Sequence, residues 1–146
     1  MKITKMTQSH VRQVAELEAL CFSDPWSEIS VASELKNELA YWLVAEENDR
    51  VAGYVGSQTV LGETDMMNIA VHPDFRRKGV AEALVNALVS DLKDMGSRCL
   101  TLEVRASNIP AQRLYEKLGF SQIGKRPKYY HNPKEDALIL RKEWEI

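Results

Sequence analysis

Apolar positions recur along the chain with two different periods, and the switches between them outline a sequence of elements. "MKITKM" reads as a first strand. In "TQSHVRQVAELEALCF" the residues Val11, Val14, Ala15, Leu17 and Leu20 fall near helical spacing. "DPWSEISVASELKNEL" reads as a second helix, with Ser27 as its N-cap after Pro25 and Trp26. "AYWLVAEE" and "RVAGYVGSQTVLG" predict a hairpin around Asn48-Asp49, and "TDMMNIAV" a central strand that ends at Pro73. Residues 79–95 carry the clearest helical pattern. Val80, Leu84, Leu88, Leu92 and Met95 form its stripe, while Glu82, Asn86, Ser90, Lys93 and Asp94 face away.

The period then returns to two. In "RCLTLEV" Leu100, Leu102 and Val104 share one side of a strand, and Thr101, Glu103 and Arg105 the other. "SNIPAQRLYEKLGF" predicts a short helix capped by Asn108 or Ser107, with Pro110 in its first turn and Gly119 as its stop. "FSQIGKRPKYY" and "EDALILRKEW" close the chain as strands. The pattern is a mixed α/β layer structure around one strand–loop–helix–strand unit. A parallel pair flanking a helix places ligands at the carboxyl ends of its strands. The loop "RRKG" and the end of the strand carrying Glu103 both belong there.

Composition narrows this picture. With 146 residues, 45% hydrophobic and 27% charged, and without linker, repeat or low-complexity run, the sequence predicts one domain over residues 1–146. A formal net charge of -2 argues against a dedicated nucleic-acid binder, and neither a leader-like apolar segment nor a membrane-length run is read. Cys21 and Cys99 lack metal spacing, so a reduced, cytoplasmic protein is expected, with Cys99 a small core residue. His10, His72 and His131 are scattered and suggest no metal; His72, before Pro73, reads as a turn residue.

The loop "RRKGVA" carries the first chemistry. A helix N-terminus presents unpaired N–H groups and about half a positive charge. Gly79 lets an anion approach the backbone without a Cβ in the way, and Arg76, Arg77 and Lys78 add charge. A phosphate or pyrophosphate suits such a site. Neither GxxxxGK[ST] nor GxGxxG is present, which disfavours an ATPase or a dinucleotide enzyme. By itself the loop is equally a strand-to-helix turn with solvated basic residues.

"RRKGVA" (76–81), with the preceding "NIAVHPDFR", resembles the Gln/Arg-x-x-Gly-x-Gly/Ala pyrophosphate loop of the GCN5-related N-acetyltransferase (GNAT) superfamily. "LEVRASNIPAQRLYEKLGF" (102–120) resembles that superfamily's later half. "FSDPWS", "LEVRASN" and "KYYHNPKEDALIL" further resemble the bacterial ribosomal-protein alanine N-acetyltransferases, so the resemblance runs along nearly the whole chain. It implies a mixed, mostly antiparallel sheet with a central splayed parallel strand pair, flanked by helices, and acetyl-coenzyme A as co-substrate without a metal. The pyrophosphate would rest on the backbone of Arg77, Lys78, Gly79, Val80, Ala81 and Glu82. The pantetheine arm would pair with Ile69, Ala70 and Val71, and Asn108 would contact the cofactor. Ala81 stands where many members have glycine, a substitution the family pattern allows.

The resemblance also assigns roles. Alternation alone makes Glu103 an exposed strand glutamate paired with a basic neighbour; the resemblance makes it the general base that removes a proton from the acceptor amine. Tyr115 reads as a core aromatic of its helix; the resemblance makes it the acid that protonates departing coenzyme A. Trp26, Tyr129 and Tyr130 are either packing residues or walls of a slot for a small N-terminal side chain. The implied reaction is direct attack in a ternary complex on acetyl-coenzyme A by the N-terminal amine of a small-subunit ribosomal protein, with neither nucleic acid nor membrane as direct partner. The alternatives are acetylation of lysines or a small amine, a non-catalytic acyl-coenzyme A sensor, and, least favoured, a nucleic-acid module.

Overall fold

The computed structural model describes residues 1–131 and 133–145. Its seven strands are β1 (Lys2–Lys5), β2 (Ala40–Glu47), β3 (Arg50–Val60), β4 (Glu63–Val71), β5 (Cys99–Arg105), β6 (Ser121–Tyr130) and β7 (Glu135–Glu143). Its helices are α1 (Gln8–Cys21), α2 (Glu28–Ser33), α3 (Val80–Asp94) and α4 (Ile109–Lys117). The strands form one sheet in the order β1-β2-β3-β4-β5-β7-β6, antiparallel at every neighbour except β4–β5. No helix among the described residues is long and apolar enough to cross a membrane.

Period-two alternation sorts side chains to the two faces of the sheet. Leu43, Ala45 and Val55 join Leu84, Val85, Leu88 and Leu92 of α3, Leu100, Leu102 and Val104 of β5, and Tyr115 of α4 in one core. Trp42, Val44, Tyr54 and Ala70 point the other way and pack with Val11, Val14 and Leu17 of α1 and Val31 of α2. The β2–β3 hairpin closes through Asn48 and Asp49, both at positive φ (52° and 64°), a backbone these two residue types tolerate.

Several local expectations are sharpened. Ser27 caps α2 by accepting from the Ser30 amide at 3.1 Å, but α2 stops at Ser33 and a 3₁₀ turn follows. The stripe of α3 runs Val80, Leu84, Val85, Leu88, Val89 and Leu92; Met95 sits at the C-cap, 56% exposed, because the helix has ended. Asn108, not Ser107, caps α4, accepting from the Ala111 amide at 3.2 Å. His72 shapes its turn by accepting from the Asp74 amide at 3.1 Å.

The feature that positions the site is the incomplete pairing of β4 with β5. They meet only at Glu63–Cys99, Thr64–Leu100 and Asp65–Thr101. Past that point β4 stays on β3 and β5 stays on β7, so the two strands part. The register of β3 against β4 jumps from Ser57–Met66 to Gly56–Asn68, leaving Met67 as an extra residue. Such a bulge bends and twists its strand. The gap opens beside it.

Candidate active site

Two sides of the gap offer different chemistry. On the α3 side, the strand leads from Val71 into the loop carrying Arg76, Arg77 and Lys78. Arg77 (φ 62°) and Gly79 (φ 74°) both take left-handed conformations, which turn the chain into α3. The Ala83 amide makes the first intrahelical bond, to the Gly79 carbonyl at 3.0 Å. The amides of Val80, Ala81 and Glu82 precede that bond, and Gly79 has no side chain to cap them. A Cβ at Gly79 would meet nothing within 4 Å. This arrangement suits a phosphate or pyrophosphate. Val80 and Ala70 have buried side chains and can offer only backbone. The Glu82 carboxylate turns to Lys117 Nζ, 3.2 Å away, and away from an anion site. Ile69, Ala70 and Val71 pair with β3 on one edge and present the other to the gap.

On the α1 side lies the polar face of β5. Because Leu102 and Val104 enter the α3 core, Glu103 points the opposite way, beyond the strands that α1 and α2 cover. Arg126 Nε of β6 lies 2.9 Å from Glu103 Oε1, so the expected basic neighbour exists. Between the pairs Arg126–Ala137 and Tyr130–Glu135, three residues of β6 oppose one of β7. This irregularity brings Tyr129 to Glu103. The Tyr129 phenol is pushed up, first by hydrogen bonding with Glu103 and then by partial burial. Tyr130 rises to about 12 through burial and the charge of Glu103. Its ring lies 5.1 Å edge-on from Tyr129 and under the Arg105 guanidinium at 4.4 Å.

Tyr115 belongs to the other core. It is 5% exposed and packs edge-on against Phe120 at 5.4 Å. Burial, with Tyr130 adding, pushes its phenol up to about 12, so it is a neutral O–H donor at physiological pH. Glu103 thus sits with Tyr129 and Tyr130, and Tyr130 in turn acts on the Tyr115 phenol, which comes from the other core. Trp26 is not part of that cluster. It stands on the α1 side, 5.4 Å edge-on from Trp42, which stacks on Tyr54 at 5.7 Å.

Sequence reasoning passed over four residues here. Arg126 pairs with Glu103. Asp65 is the last paired residue before the gap, and burial and then Glu103 raise its carboxyl. Arg105 binds the β6–β7 connection, donating to the carbonyls of His131 and Pro133 at 3.0 Å each. Glu18 is fully buried on the core face of α1. Only Glu18 left a local signal: it follows Val14 by four residues, a carboxylate beside the apolar positions Val11, Val14 and Leu17.

The acetyltransferase (GNAT) family model matches residues 11–120. The chain belongs to this family. It is 36% identical over 140 residues to the [ribosomal protein bS18]-alanine N-acetyltransferase of Escherichia coli K12, covering 94% of each chain. It is 39% identical over 127 residues to the enzyme of the same name from Salmonella typhimurium LT2, covering 86% of this chain and 85% of that one. The crystal structure of the Escherichia coli ribosomal-protein-S18-alanine N-acetyltransferase superposes with a TM-score of 0.91 at 34% identity, over 99% of this chain and 94% of that one. The splayed sheet is thus the GNAT fold, and the chain is an N-acetyltransferase.

Proposed function

We propose that this chain transfers the acetyl group of acetyl-coenzyme A to the N-terminal α-amine of a small-subunit ribosomal protein that begins with alanine, acting in the cytoplasm. The observation that supports this reading is that β5 carries the Glu103 carboxylate beyond its last pairing with β4, with the neutral, buried phenol of Tyr115 on the helix that follows β5. Relatives that match along 94% of both chains are named for this acceptor, ribosomal protein bS18.

Each group has a definite task. An α-amine has an ordinary pKa near ~8, so about a tenth is free base at pH 7. Glu103 accepts the proton that the amine must lose, directly or through water. The amine nitrogen forms a bond to the acetyl carbon as the carbon–sulfur bond breaks. Tyr115 donates a hydrogen bond or a proton to the departing thiolate. The Val80–Glu82 amides and the free edge of Ile69–Val71 hold the cofactor, with Asn108 available at the start of α4. Tyr129 and Tyr130 bound the acceptor on the Glu103 side, and Trp26 bounds it separately, from the α1–α2 connection.

Mass spectrometry of an alanine-initiated peptide incubated with acetyl-coenzyme A tests this. Acetylation at the N-terminal nitrogen is expected. Modification confined to lysine side chains, or to small amines, would overturn the acceptor assignment.

A further inference from the structure

Among the described residues, the hydrogen-bond partners of the Glu18 carboxylate are all neutral. The carboxylate is fully buried, and three neutral donors surround it. The Trp26 amide donates to Oε1 at 2.9 Å, and the Tyr54 hydroxyl and the Asn68 side-chain amide both donate to Oε2. A buried ionisable group is costly, and an apolar residue of similar size would serve core stability as well or better. What the carboxylate supplies is a junction of four segments. It stands on α1, holds the backbone of the α1–α2 connection at Trp26, rests on β3 through Tyr54, and grips β4 at Asn68.

Asn68 directly follows the bulged Met67, where β4 turns away from β5. Trp26 belongs to the α1–α2 connection. Its ring is tied to the same junction a second time, since it packs on Trp42, which stacks on Tyr54. The room for Trp42 is itself fixed by Gly56, where a Cβ would come within 2.4 Å of the indole. The wall that faces the acceptor and the strand that faces the thioester are therefore locked together through one carboxylate. The loop of Arg76 to Glu82 lies outside this junction.

We propose that Glu18 is a positioning residue for the acceptor: it holds the α1–α2 connection in register with the β4 bulge and thereby sets affinity for the incoming N-terminus, not for acetyl-coenzyme A. This deepens the proposed function and rests on its assignment of Trp26 to the acceptor wall.

The test uses the full chain with Glu18→Ala, Glu18→Gln and Tyr54→Phe. The last removes one donor while keeping the ring stack. With an alanine-initiated peptide, Glu18→Ala is expected to raise the peptide KM about tenfold or more, with the KM for acetyl-coenzyme A within about twofold of the original. Glu18→Gln restores part of the loss because one carbonyl oxygen still accepts. Tyr54→Phe moves the peptide KM in the same direction by about threefold. Hydrogen exchange gives a readout independent of the acceptor: Glu18→Gln speeds exchange across residues 22–27 and leaves α3 unchanged. If the peptide is no substrate of the unmodified enzyme, the acceptor assignment fails and the exchange result decides the role of Glu18. Both KM values rising together, or protection at residues 22–27 unaltered in Glu18→Gln, would overturn the proposal.

Discussion

The Glu103 carboxylate is held by Arg126, with Nε 2.9 Å from Oε1, at the mouth of the gap between β4 and β5. The pair is half open to solvent, with the arginine 56% and the glutamate 27% exposed, so it is worth at most ~1 kcal/mol. An arriving amine can displace the guanidinium cheaply. Arg126→Ala is therefore expected to keep the fold and to hold the transfer rate at saturating acceptor within about threefold. Glu103→Gln is expected to lower that rate by ~10²–10⁴-fold. Steady-state kinetics on both variants, with circular dichroism as the check on folding, separates a base from a surface ion pair.

Tyr115 predicts the form of the pH profile. Its phenol lies at about 12, so it stays protonated throughout the working range. The rate constant kcat/KM should rise as the acceptor amine loses its proton near ~8 and then stay level to about pH 10. Tyr115→Phe should keep the rising limb and lower the plateau by ~10² or more. A fall between pH 8 and 10 that disappears in Tyr115→Phe would contradict the assignment.

Gly79 separates cofactor binding from stability. Alanine there meets no neighbour, so its penalty is the left-handed backbone alone, about 1–2 kcal/mol. That strain falls on the turn that presents the first amides of α3. Gly79→Ala is expected to raise the KM for acetyl-coenzyme A about tenfold or more while leaving the peptide KM nearly unchanged. Binding of coenzyme A alone, measured calorimetrically, provides the check.

Glu18 makes stability depend on pH. Burial pushes its carboxyl up, opposed by the hydrogen bonds from Trp26 and Asn68. The folded state therefore holds this proton more tightly than the unfolded chain does. Its contribution to stability is present below the ordinary carboxylate range, near ~4.3, and is lost as pH rises through the elevated value. Glutamine carries no such proton. Urea denaturation should show the stability of the original chain falling relative to Glu18→Gln as pH rises from about 4, by about 1.4 kcal/mol for each unit of elevation. A constant difference would mean that Glu18 titrates normally.

The strands and helices were legible because each buries one face, and a buried face imposes a period on its own sequence. Leu100, Leu102 and Val104 announce β5, and Leu84, Leu88 and Leu92 announce α3, without reference to any other segment. The caps at Ser27 and Asn108 and the turn at Asn48-Asp49 are likewise local chemistry. Glu103 and Tyr115 were singled out only because the motifs around them resemble those of a family; alternation alone left them an exposed glutamate and a core aromatic.

What the tertiary structure decided depends on pairs far apart in the chain. The opening between β4 and β5 follows from a bulge at Met67, which exists only relative to the register of β3. The meeting of Glu103 with Arg126 follows from β7 inserting between β5 and β6 in the sheet. The influence of Tyr130 on the Tyr115 phenol joins α4 to the end of β6, elements separated in the chain and brought near only by the fold. The sequence by itself determined each element and the face it buries, because propensity, capping and periodicity act over a few residues. Which polar side chains share a site was left to strand order and register, because those are settled by packing whole elements against one another.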